Sequence, residues 1–194
     1  MQPETTYEWR QKLLVEITTP AGSKFGSSVT QINISNSKSF EKGNARLWKQ
    51  WFGEAIYIKL SKTQHLFVLI GKPIDIAQHS FRDHITSNST NKIDDIGDYY
   101  SALEKLRITV KAEKKHYPQF ITFLDINDPL TAKVVEPTNL SSVFGGGYKL
   151  HKMTVEITDE PTTIDKLEST LTWLPNNTSI QMKNPAASSG VSEH

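Results

Sequence analysis

Phe120-Ile121-Thr122-Phe123-Leu124-Asp125-Ile126 and, beyond a turn-rich connection, Tyr148-Lys149-Leu150-His151-Lys152-Met153-Thr154-Val155-Glu156-Ile157-Thr158 decide the fold. Both runs read as strands, and most of the segments around Phe120–Asp159 read as partners for them. In Tyr7–Thr19, Leu13, Val15 and Ile17 alternate with Lys12, Leu14, Glu16 and Thr18, the period of a strand with one buried face. Pro20-Ala21-Gly22-Ser23 is a turn, and Phe25–Ile34 returns through Val29, Ile32 and Ile34, so an antiparallel hairpin is expected. Gly26-Ser27-Ser28 interrupts the return strand, where a bulge or a close backbone approach is expected. Ala55–Leu60 and Leu66–Ile70 are two further apolar runs joined by Ser61–His65, and the second, apolar throughout, implies cover on both faces.

Helical spacing appears between these strands. Pro73 is tolerated in a first turn, and Ile74, Ala77, Phe81 and Ile85 form a stripe, predicting a helix through about Ile85 that ends in the polar run Ser87–Asn91. Ile93, Ile96, Tyr100, Leu103 and Leu106 predict a second over about Lys92–Leu106, capped by Asn91. Thr162-Thr163-Ile164-Asp165 has capping-box spacing, and Ile164, Leu167, Leu171 and Leu174 predict a third short helix ending at Pro175. Ile108-Thr109-Val110 is ambiguous. The fold class is therefore α+β, a mainly antiparallel sheet built from hairpins with two or three helices covering part of it. One domain over residues 1–175 and a mobile Asn-, Ser-, Ala- and Pro-rich tail over 176–194 are expected.

The bulk composition narrows the function classes. With 194 residues the chain can bury a core without metals or disulfides, and 22 basic against 21 acidic side chains give no electrostatic case for nucleic acid or an anionic membrane. Cysteine is absent, which removes disulfides, thiolate metal sites and thiol nucleophiles. No apolar run reaches the roughly 20 residues of a spanning helix. Met1–Thr6 has neither the charged nor the apolar region of a signal peptide, so the sequence as it stands is expected in the cytoplasm, or in the periplasm or envelope if a leader has been removed.

Each chemical motif meets a simpler explanation. Asp125-Ile126-Asn127-Asp128 begins like a calcium loop, with Glu136 at the twelfth place, but Leu130 stands where glycine is needed and Pro129 precedes it. Turn capping by the Asp and Asn side chains fits better. Gly145-Gly146-Gly147 precedes a strand and not the helix of a phosphate cradle, so it is expected to supply positive φ angles or a bulge. His79 and His84 stand about 140° apart around a helix and cannot share a metal, while His79 and Asp83 can pair on one face. Asp94, Asp95 and Asp98 suit a helix first turn. No metal and no other cofactor is expected from these motifs, and they assign no catalytic residue.

A candidate binding surface lies in Asn36–Gly53. There Lys38, Lys42, Arg46 and Lys49 are interleaved with Phe40, Trp48, Trp51 and Phe52, and Leu47, Trp48 and Trp51 have the spacing of a short helix, with an ordered loop as the alternative. Phe40, Arg46, Trp48, Lys49, Trp51 and Phe52 are the candidate binding residues, a set able to stack on bases, meet a membrane interface or anchor a protein partner. The plainer reading folds the aromatics over a sheet face and leaves the charges in water.

Phe123-Leu124-Asp125-Ile126-Asn127-Asp128-Pro129, Val135-Glu136-Pro137-Thr138-Asn139-Leu140, Phe144-Gly145-Gly146-Gly147 and Thr154–Pro161, closing on Trp173-Leu174, together with Leu14–Gly22, Gly26-Ser27-Ser28-Val29 and Gly53-Glu54-Ala55, carry a resemblance. They are similar to a widespread family of uncharacterised bacterial proteins, some with an export or lipoprotein-type leader. The resemblance covers strands and turns, implies one integral domain and supplies no chemistry. The expected function is non-enzymatic binding, with a protein partner the first candidate and the cell envelope as its setting. The alternative is a hydrolase or other enzyme whose acidic and His residues, Asp125 or Asp128 with His79, His84 or His151, meet only in the fold.

Overall fold

The structure is a computed structural model that describes residues 5–38, 45–88 and 96–174. Among these residues the strands form two antiparallel sheets, as the hairpin patterning requires. β1 (Thr5–Thr19) and β2 (Gly22–Lys38) make one long hairpin in continuous register from Thr5 opposite Asn36 to Thr19 opposite Gly22. The Thr19 hydroxyl closes its turn, donating to the Gly22 carbonyl at 2.7 Å and accepting from the Ala21 amide. β3 (Ala45–Phe52) pairs with β2, β9 (Lys149–Ile157) with β1, and β6 (Thr109–Lys111) with β9, giving the order β3-β2-β1-β9-β6. The second sheet runs β4-β5-β7-β8, from Ile56–Lys59, His65–Val68, Phe120–Phe123 and Ala132–Val135.

The larger sheet buries one face. Trp9, Leu13, Val15 and Ile17 of β1 stand with Ile32 and Ile34 of β2 and Met153, Val155 and Ile157 of β9 in the main core. Helices α1 (Pro73–Asn88) and α2 (Ile96–Lys105) cover one end of this face, where Tyr100 packs against Tyr7 and Trp9 with ring centroids 5.5 and 5.6 Å away. The second sheet covers the hairpin end. Gly26 makes that junction possible, because a Cβ there would lie 2.6 Å from Ile58 Cγ1 and 2.9 Å from the Tyr57 carbonyl. Of the two expectations for Gly26-Ser27-Ser28, close backbone approach is what occurs; the bulge lies instead in the β1–β9 pair, between Glu16 and Ile17.

β5 is buried on both faces at Leu66, Phe67 and Val68, as its unbroken apolar run requires. Its inner residues join the main core, while Phe67 and Phe123 form a second cluster with Leu167 and Leu171. Those two leucines belong to residues 159–174, where the third of the expected helices does not form. The Thr162 hydroxyl, at the cap position of the expected box, donates to Gln31 Oε1 at 3.3 Å, and next to it the Thr163 hydroxyl accepts the Val29 amide at 2.9 Å while the Thr163 amide donates to the Val29 carbonyl at 3.0 Å. Asp165 then takes φ 61°, a left-handed turn that breaks a helical run. The apolar stripe is used for packing in a strap of turns. The only other helix among the described residues longer than three residues is α3 (Ser141–Phe144), a single turn before the glycines. Gly145 and Gly147 have φ of 100° and 88°, the positive values expected of them.

Asn91, Lys92 and Ile93 of the second expected helix lie outside the described residues, as do Phe40, Lys42, Asp94, Asp95 and the expected tail 176–194.

Candidate functional site

Asn36–Gly53 is neither a helix nor a loop where it is described. Ala45–Phe52 is an edge strand, with Trp48 opposite Ser35, Gln50 opposite Asn33 and Trp51 opposite Ile32. The period of two therefore divides the candidate residues between opposite faces. Trp51, 8% exposed, joins the main core, while Trp48 is 50% exposed on the outer face. Lys49 shares the inward register, opposite Ile34, and Phe52 shares the outward one, opposite Gln31. Arg46 pairs with Ser37 in the ladder, and Phe40 lies outside the described residues. The described aromatics are thus not folded back over a sheet face as one group: they are part of the sheet, Trp51 inside and Trp48 and Phe52 in the outward register.

Around Trp48 the outer face forms an open groove of about 460 Å3 lined by Thr6, Glu8, Asn33, Ser35, Trp48 and Gln50. It crosses three strands, since Thr6 lies opposite Ser35 and Glu8 opposite Asn33. Among the described residues of the lining, Glu8 carries the only formal charge. Gln31 holds the floor in place, donating its amide to Glu8 Oε1 at 3.0 Å and to Asn33 Oδ1 at 3.4 Å. Thr162, at the start of the strap, donates to Gln31 Oε1 at 3.3 Å. Thr6, Glu8, Asn33, Ser35 and Gln50 are absent from the candidate set, and the signal that could have found them is alternation: each occupies an outward position of a strand whose neighbours point into the core.

The other candidate chemistry is dispersed. Asp125 accepts from the Asn127 amide at 2.9 Å and Asp128 from the Leu130 amide at 2.9 Å, so both carboxylates cap their own turn. His84 is exposed on α1, and His151 is exposed beside the β-bulge. His79 turns to His116, with the rings stacked at 3.7 Å and 10°. Burial lowers the His79 pKa, assisted by His116, Arg82 and Lys115 and opposed by Glu113. Among the described residues no group of three His, Asp or Glu side chains is placed to hold a metal, and no helix is long and apolar enough to cross a membrane.

Comparisons with protein-family models, with curated proteins and with solved structures found no match.

Proposed function

We propose that the protein is a non-enzymatic binding protein whose ligand lies on the outer face of the five-stranded sheet at Trp48. The observation that supports this most is a large indole left half exposed in a groove while its near neighbour Trp51 is spent on the core. Large aromatic side chains are usually mostly buried, and exposed ones rimmed by polar groups mark contact sites. The Asp125 and Asp128 carboxylates are engaged by their own turn, which favours binding over hydrolysis. The resemblance to bacterial proteins with export or lipoprotein-type leaders supports the cell envelope as the setting.

Capture from whole-cell extract tests the reading, with retained protein, nucleic acid and polysaccharide all analysed on columns of wild type and of Trp48→Ala. Material held by wild type and lost by the variant supports it. Equal retention on both, or none on either, overturns it. A double variant that also replaces Trp51 would confuse binding with folding, because Trp51 is a core residue.

A further inference from the structure

The groove at Trp48 has a lining that discriminates among ligand classes. A nucleic-acid strand needs a row of cations along its backbone, and among the described residues of the lining the only formal charge is the carboxylate of Glu8. Of the outer-face cations with described side chains, Lys12 is paired with Glu160 at 2.6 Å, Lys152 lies 3.6 Å from Glu16, and Arg10 lies one row further on, opposite Gln31; Arg46 has the outward register two residues before Trp48. A protein hot spot surrounds its Trp with apolar contacts that exclude water. Among the described residues, those lining the groove with Trp48 supply two hydroxyls, two carboxamides and a carboxylate.

We infer that this face binds a neutral carbohydrate chain, with Trp48 as the platform for a sugar ring and Asn33, Gln50 and Glu8 as its hydrogen-bonding partners. A pyranose has the complementary surface. Its ring C–H groups, weakly positive, lie on the electron-rich face of an indole, and its hydroxyls both donate and accept at the edge. Carboxamides answer both roles, and a carboxylate accepts strongly from a hydroxyl. Because Gln31 already fixes Glu8 and Asn33, little side-chain entropy is lost on binding. An open groove across three strands also suits a chain better than a small molecule, which is bound in concave, largely apolar pockets. The inference rests on the binding reading of the same face and adds the ligand class.

Native affinity electrophoresis tests it, with galactomannan, glucomannan, hydroxyethyl cellulose, dextran or starch in the gel and alginate as the acidic control. Retardation by at least one neutral polysaccharide is expected, weakened about tenfold or more in Trp48→Ala and measurably in Asn33→Ala and Gln50→Ala. Thermal melts of all variants check that the fold is kept. No retardation by any neutral polysaccharide, retardation by alginate alone, or retardation unchanged in all three variants overturns the inference, as does self-association through this face in sedimentation. A Trp48-dependent protein or nucleic acid recovered from extract, with no retardation here, would sink the carbohydrate assignment and leave the binding face standing.

Discussion

His79 on α1 and His116 in the 3-10 turn Lys114–His116 lie ring to ring, with centroids 3.7 Å apart and planes within 10°. His116 Nε2 is buried without a hydrogen-bond partner. The stack joins the helix layer to the segment between β6 and β7 and is favourable while both rings are neutral.

Stability is expected to depend on pH through His79. The groups facing His79 are His116, Arg82, Lys115 and Glu113, three cations or potential cations against one acid that is itself paired with Lys115 at 2.9 Å. Burial and these charges place the folded-state pKa of His79 below its usual 6.5. The unfolded chain then binds more protons near and below that value, so stability is present above it and declines as pH falls toward the lowered pKa. The Lys115 hydrogen bond lowers the Glu113 pKa, so its contribution is lost only at more acid pH, below the usual carboxylate range. Urea midpoints measured from pH 8 to pH 5 should fall for wild type and fall less for His79→Gln. Equal slopes in the two proteins would show that the stack is not the source.

Gly26→Ala should be costly although the residue is on a strand where alanine is ordinarily tolerated. The added methyl would stand 2.6 and 2.7 Å from side-chain carbons of Ile58 and Ile56 and 2.9 Å from the Tyr57 carbonyl, so the second sheet must move off the first. Overpacking of this kind costs about 1–3 kcal/mol. Gly146→Ala is the control, with nothing within 4 Å of its added Cβ and no positive φ. Its effect should stay within about 0.5 kcal/mol. Similar urea midpoints for the two variants would refute the close-approach account.

The parts of the fold that were legible are those where local pattern and tertiary use agree. The hairpin of β1 and β2 alternates cleanly because one face meets the core along its length, and α1 shows its stripe because Ile74, Ala77, Phe81 and Ile85 are all buried. β3 was illegible for a physical reason. Lys49 occupies the inward register between buried Ile34 and solvent at the sheet edge, which breaks the alternation and leaves the Leu47–Trp48–Trp51 spacing to suggest a helix. Inward charges on edge strands discourage pairing with other chains, and they disguise the strand by the same means. The strap was misread because its leucines have helical spacing while its amides and hydroxyl are claimed by Val29 and Glu54. The packing of the second sheet on the first uses Gly26, whose lack of a side chain marks a close approach without saying to what. For the candidate site, the aromatic residues were visible and their faces were not.

Trp48 and Trp51 should separate cleanly by mutation. Trp51 packs in the main core at 8% exposure, so Trp51→Ala should cost about 3–5 kcal/mol. Trp48 is half exposed on the outer face, and Trp48→Ala should change stability by about 0.5 kcal/mol or less. Chemical denaturation of the two variants checks the assignment of faces. A severe loss in Trp48→Ala would mean that the indole is structural, and would remove the ground for a binding role.

Glu54 should be the residue that holds the strap. It sits two residues after the end of β3 with its side chain mostly buried, and both of its carboxylate oxygens accept the Lys166 amide, at 3.1 and 3.0 Å. Its own carbonyl accepts the Ser28 hydroxyl at 2.7 Å, so the same residue ties the strap to the interior of the hairpin. Glu54→Ala leaves the Lys166 amide without that acceptor and should cost about 1–3 kcal/mol, whereas Glu54→Gln keeps an acceptor oxygen and should cost less. The loss should be local. Leu167 and Leu171 anchor the strap to Phe67 and Phe123, so opening it exposes the second cluster while the main core stays closed. Trypsin should cleave at Lys166 faster in Glu54→Ala than in wild type under native conditions, and hydrogen exchange in β1 should be unchanged. Uniformly faster exchange would instead place Glu54 among the determinants of the whole fold.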